Sequence, residues 1–145
     1  MAGFTTDLLV GVAEHLDAAA VASWEPAAAY DQNTAGIFIA TLPEHTGGVV
    51  TLTAYGMDDD PILPDSTMGL QVRVRAPGRD PRDSDDLADA AYDALQGLGP
   101  VDLNGVHIQL CTRVSSLPMG MDATGRWERS DNYRVQVHRP GTHRL

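Results

Sequence analysis

Lysine is absent from the 145-residue chain, so its ten basic residues are all arginine. Against them stand 20 Asp and Glu, which set a formal net charge of -10 and a pI near 4.6. That balance argues against tight gripping of a phosphate backbone, because counterion release needs clustered positive charge. The missing lysine, beside abundant Ala, Gly and Arg, reads as a coding bias and carries no mechanism. A single cysteine, Cys111, excludes both an internal disulfide and a metal site built from cysteines, and it suits a reducing compartment. No window approaches the roughly 18 apolar residues of a membrane span. The first twenty residues hold Asp7, Glu14 and Asp17 but no Arg, so they lack the basic start and clean apolar centre of an export signal. The expectation is a soluble, unexported protein without contact to a membrane.

What is present points to one domain over residues 1–145, long enough to bury roughly two thirds of the surface its unfolded chain exposes without cofactor or disulfide. Leu9, Val12, Ala13, Leu16 and Ala20 recur at helical spacing, with Thr6 as cap, and predict a first helix ending near Ser23 or Trp24. Trp24 and Tyr30 read as satellite core residues. GIFIATL (Gly36 to Leu42) and GGVVTLTAYG (Gly47 to Gly56) are rich in β-branched residues and predict a hairpin or adjacent strand pair around the turn PEHT. Met57 to Ser66, with two prolines and four acids, predicts an exposed loop.

Leu70, Val72, Val74 and Ala76 alternate with Gln71, Arg73 and Arg75, the pattern of a strand with one buried and one cationic face. Asp83 or Ser84 then caps a second helix with stripe Leu87, Ala91, Ala94, Leu95 and Leu98, stopped by Gly97, Gly99 and Pro100. Asp85 and Asp86 complement its dipole and need no substrate to explain them. GVHIQLCTRV (Gly105 to Val114) and DNYRVQVHRP (Asp131 to Pro140) complete the strands, with SSLPMGMDATGRWERS between them as a loop. The fold class is α+β: two helices packed on one face of a mainly antiparallel five-stranded sheet, in the order α-β-β-β-α-β-β.

Catalytic constellations find no support. Asp58, Asp59 and Asp60, with Asp65 nearby, could attract a hard cation and would carry an acidic metal-dependent hydrolase. They lack the alternating ligands and distal Glu of a calcium loop. His15, His45, His107, His138 and His143 show no zinc-binding spacing, although His107 and His138 could meet on paired strands. Ser66, Ser84, Ser115, Ser116 and Ser130 lie outside any GxSxG elbow, and Cys111 sits within a strand as a small hydrophobe. Gly97 and Gly99 follow a helix rather than opening one, so no phosphate cradle forms. The reading is a protein that is not an enzyme and has no cofactor or metal.

The order of two segments carries a likeness. MGLQVRVRAPGRDPRDSDDLADAAYDALQGL (Met68 to Leu98) holds Gln71, Arg73 and Arg75 on a strand leading to a helix that ends Leu95-Gln96-Gly97-Leu98. PMGMDATGRWERSDNYRVQVHRP (Pro118 to Pro140) holds Asp122, Gly125, Arg126, Glu128, Ser130 and Asn132 before the last strand. Together they resemble the bacteriophage minor capsid proteins grouped with tail terminators. The likeness extends loosely to the first helix and Leu42-Pro43.

The resemblance implies a non-enzymatic ring, commonly of six subunits, at the head–tail junction of the virion after assembly in the host cytoplasm. It would cap the tail tube, join it to a head-completion or neck protein, and let DNA pass without specific binding; a neck adaptor is the alternative. Head-to-tail rings need two unlike, complementary patches per subunit. Arg73 and Arg75 on one side and Asp58, Asp59 and Asp60 on the other are the candidate pair, with Arg126, Trp127 and Glu128 as further interface candidates. Six copies of a chain charged at -10 would carry about -60, which repels DNA from a central channel.

Overall fold

The computed structural model describes residues 2–145. Helix α1 spans Phe4–Ala18 and α2 spans Pro81–Leu95. The strands are β1 (Gly36–Ile39), β2 (Val49–Asp59), β3 (Asp65–Arg75), β4 (Val101–Leu103), β5 (Val106–Met121) and β6 (Trp127–His138). They form one sheet in the order β1-β2-β3-β6-β5-β4. Every neighbouring pair is antiparallel except β1 and β2, which run parallel. The α+β class with two helices stands, but the sheet is mixed and has six strands where five were expected.

Both helices cover the same sheet face. Leu8, Val12 and Leu16 of α1 and Ala88, Ala91 and Leu95 of α2 are fully buried against Val50, Leu52, Leu70, Val72, Val74, Ile108, Tyr133, Val135 and Val137. Each large apolar side chain so buried contributes roughly 1.5–3 kcal/mol. Gly11 lets α1 sit directly on β4, since a Cβ there would lie 2.9 Å from the Leu103 carbonyl oxygen. Trp24 packs against this core from its margin.

Several boundaries differ from the sequence expectation. Helix α1 starts after Gly3, so Thr6 lies inside its first turn and is not the cap. It stops at Ala18 because the following alanines bring no further apolar side chain to the core. The chain then turns through Ala20 (φ 60°), and Ser23 aligns beside β1, donating its N–H to Ala35 and accepting from Ile37. Helix α2 is capped by Asp80, whose Oδ1 accepts the Arg82 N–H at 3.0 Å, rather than by Asp83 or Ser84. Pro81 takes the first helical turn, where a missing N–H costs nothing, which places Asp85 and Asp86 one turn further in.

No hairpin joins β1 to β2. Residues 40–48 cross the outer sheet face, opposite the helices, and return to start β2 alongside β1. This crossing buries Val49, Thr51 and His45. It is held by the Thr51 hydroxyl donating to the Thr41 carbonyl at 2.7 Å. Both expected loops are mostly strand: β2 and β3 run through Met57–Ser66 up to the turn 60–64, and β5 runs on through Ser115–Met121 to the turn 122–126.

Candidate functional site

The expected cationic strand face is the outer face of β3, and its two arginines are engaged within the chain. Arg73 donates from Nε and Nη2 to Glu128 Oε1 at 2.9 and 2.6 Å across β3 and β6. Arg75 is 6% exposed and donates to the Pro43 carbonyl of the 40–48 crossing. Burial presses its pKa below the ordinary arginine value. Arg126 reaches the same crossing through the His45 carbonyl at 2.7 Å and pairs with Asp122 at 3.6 Å. Trp127 is half-buried and donates Nε1–H to the Arg79 carbonyl at 3.1 Å. Arg73, Arg75, Arg126, Trp127 and Glu128 thus converge on one end of the sheet and tie the crossing, the 122–126 turn and the start of α2 together.

Asp58, Asp59 and Asp60 border one open surface cavity with Asp65, but their carboxylates do not gather at a common point. Asp60 Oδ1 accepts the backbone N–H groups of Ile62 and Leu63 at 2.7 and 2.8 Å, which lowers its pKa. Asp59 accepts the Ser66 hydroxyl at 2.6 Å, and Asp58 pairs with Thr67 across a bulge. Among the described residues, no group of three or more His, Cys, Asp or Glu is arranged to hold a metal ion. His107 and His138 are direct partners across β5 and β6. Their Nδ1 atoms lie 2.7 Å from Asp102 and 3.2 Å from Asp65.

A charged network unannounced by any motif lies beneath α2. Asp131, 1% exposed, receives the Arg129 guanidinium in a fork at 2.9 and 3.0 Å. It also accepts the Ser116 hydroxyl at 2.6 Å and an Arg113 N–H at 3.4 Å. Arg129 continues to Asp85 and Asp89 at 3.3 and 3.0 Å, and Asp131 above all raises its pKa, holding it protonated. Arg113 lies 4.2 Å over the Tyr92 ring. The i, i+4 acids of α2 therefore add a charged link from the helix to β6 beside its apolar packing, and their spacing was the only sequence signal for it.

The exposed large hydrophobic side chains fall mainly in two places. One group, Tyr55, Met57, Ile62 and Leu63, follows the β2–β3 hairpin; the other, Val114, Leu117, Met119 and Met121, follows the second half of β5. In the sequence most of both stretches reads as loop, where an exposed Leu or Met has no face to belong to. On the strands they form two rows, Tyr55 and Met57 on β2 and Val114, Leu117, Met119 and Met121 on β5, with Ile62 and Leu63 on the turn beyond β2.

Two helices on one side of a six-stranded sheet, with the other face covered at one end by the 40–48 crossing and both edges bare over part of their length, define a small α+β structural domain. Its fold is similar to that of a chain in the solved structure "Virion of native gene transfer agent (GTA) particle", with a TM-score of 0.63 at 15% identity, covering 94% of this chain and 99% of that one. No curated protein sequence matches. The family described as "Bacteriophage tail terminator protein" matches residues 15–139, and the chain belongs to that family. It is accordingly a structural protein of the tail or head–tail region of a phage-type particle.

Proposed function

We propose that the protein closes the tail: copies of it form a ring, six by the likeness to tail terminators, that caps the tail tube and presents a surface to the head-completion protein. The family match over 15–139 carries this reading. The two separate apolar rows support it, since a closed head-to-tail ring needs two unlike patches on each subunit. The braced end of the sheet, around Arg73, Arg75, Arg126, Trp127 and Glu128, offers a rigid platform toward the tube or the head. Asp58, Asp59 and Asp60 lie at the opposite end of β2, available to a neighbour. Removing the protein should leave tails that fail to join heads. A map of the intact neck should show it as a ring directly on the tube. Its absence from purified tails that lack heads, with presence in filled heads, would support the neck-adaptor reading instead.

A further inference from the structure

The two open edges of the sheet are half-covered in a complementary way. Strand β1 pairs with β2 only from Val49 to Leu52, so the edge from Thr53 to Asp59 is bare. Strand β4 pairs with β5 only from Val106 to Ile108, and Leu98 and Gly97 bond Cys111, so the edge from Val114 to Met121 is bare. The bare stretches lie on opposite sides of the sheet and at opposite ends. Because β2 runs antiparallel to β3, β3 to β6 and β6 to β5, β2 and β5 run in opposite directions. A second copy in the same orientation would set its β5 antiparallel against the first copy's β2, displaced along the strands so that β1 and β4 clear each other.

The hydrogen-bonding phase of each edge follows from contacts in the fold. Leu52 offers its carbonyl outward to Ala40, so by strand alternation Ala54 and Gly56 also turn N–H and C=O outward. Cys111 turns both groups outward, and the pairings Ser116↔Asp131 and Pro118↔Arg129 keep the same phase as Cys111↔Val135. Ser116 therefore offers N–H and C=O, and Pro118 offers C=O alone. The proline removes one donor from the edge, the device by which edge strands avoid open-ended pairing.

We infer that successive copies of this chain join through these two edges, Ser116 pairing with Gly56 and Pro118 with Ala54, so that Leu117 of one copy lies against Tyr55 of the next. This deepens the ring reading above and rests on it. The register is the one that matches side chains: Leu117 and Tyr55 both lie on the outer sheet face, at 57% and 44% exposure, and become direct cross-strand neighbours. Met119 then faces Thr53. A second copy is the occupant because the charges fit. The bare β5 stretch carries no charge, so it can lie against an acidic copy of the same protein without repulsion. The nearest charge before it is the half-buried Arg113, which comes level with Asp58 and Asp59 of the neighbour. Counted through the sheet pairings, each copy steps about 13 Å along the strands for about 19 Å across them, a tilt of roughly 35° of the kind closed sheets adopt.

Disulfide trapping tests the seam in assembled particles. The double variant Tyr55→Cys with Leu117→Cys places two cysteines at a non-hydrogen-bonded pair, within disulfide reach. Cys111 can stay, since it is buried and its thiol is pushed up to about 12 by burial. On oxidation, the double variant should give a ladder of covalent multimers ending at the ring size, while either single variant stays monomeric. Thr53→Cys with Met119→Cys is the second pair, used if the first fails to assemble. A ring visible in the particle with neither pair crosslinking overturns the seam and leaves the ring reading intact. Crosslinking by Tyr55→Cys alone would mean a two-fold contact and overturns the head-to-tail seam. One copy per particle overturns both.

Discussion

The Arg129–Asp131 fork shows what one residue can hold. Asp131 has no water to turn to and takes bonds from Arg129, Arg113 and Ser116, so its charge is offset only while that set is complete. Removing one member of a buried pair leaves the other uncompensated, at a cost of about 3–5 kcal/mol. Asp131→Ala should therefore lower stability by about 3 kcal/mol, read as a shift of the urea midpoint. Asp85→Ala, at an exposed side chain that shares Arg129 with Asp89, should cost well under 1 kcal/mol. Cys111 makes a second residue-scale prediction. With its thiol pushed up to about 12, it should resist a thiol reagent at neutral pH in the native protein and react at once in denaturant.

At the scale of elements, the crossing between β1 and β2 depends on Gly47. A Cβ there would fall 2.2 Å from the Thr34 carbonyl oxygen, which is backbone and cannot swing away. Gly47→Ala should displace the crossing and destabilise the protein by about 1–3 kcal/mol, with Arg75 left without its Pro43 acceptor. The turn 122–126 depends on Asp122. Its carboxylate accepts the Arg126 and Thr124 backbone N–H groups and the Thr124 hydroxyl, and the Arg126 N–H leads the causes that bring its pKa down to about 2. A folded-state pKa below the unfolded value of about 4 gives stability that is present above pH 4 and lost as pH falls through 2. Asp122→Asn should thus melt below the wild type at pH 7, with the gap closing near pH 2. The turn itself was legible, because Asp, Gly and their spacing are local signals. The parallel return of β1 to β2 was not, since the residues that demand it, Val49 and Thr51 on the outer face, look like ordinary alternation until something covers them. The β5 extension was hidden by Pro118 and Gly120, which signal a loop but sit at an edge and a bulge. Arg73 and Arg75 were readable as one polar face; their partners, 55 and 32 residues away, were not.

For the whole molecule, the deciding quantity is where positive charge is free. Of the ten arginines, Arg73, Arg82, Arg113, Arg126, Arg129 and Arg144 pair with carboxylates, Arg75 is buried on a carbonyl, and Arg139 lies over the Phe4 ring. Arg79, in the connection before α2, and Arg134, on β6, are exposed and without a carboxylate partner among the described residues, and they form no stripe. A phosphate backbone bound by one or two such contacts gains little counterion entropy, while the net charge of -10 repels it over the range of the Debye length. The purified protein should therefore bind duplex DNA with a Kd weaker than about 100 µM at about 150 mM salt, below the usual range for non-specific binders. Fluorescence anisotropy on a labelled duplex measures this directly. The same titration near 50 mM salt should gain less than about tenfold, the slope of one or two phosphates rather than six to ten. A steep gain at low salt would mean that assembly or flexibility gathers arginines that the single subunit keeps apart, and the repelling channel would have to be abandoned.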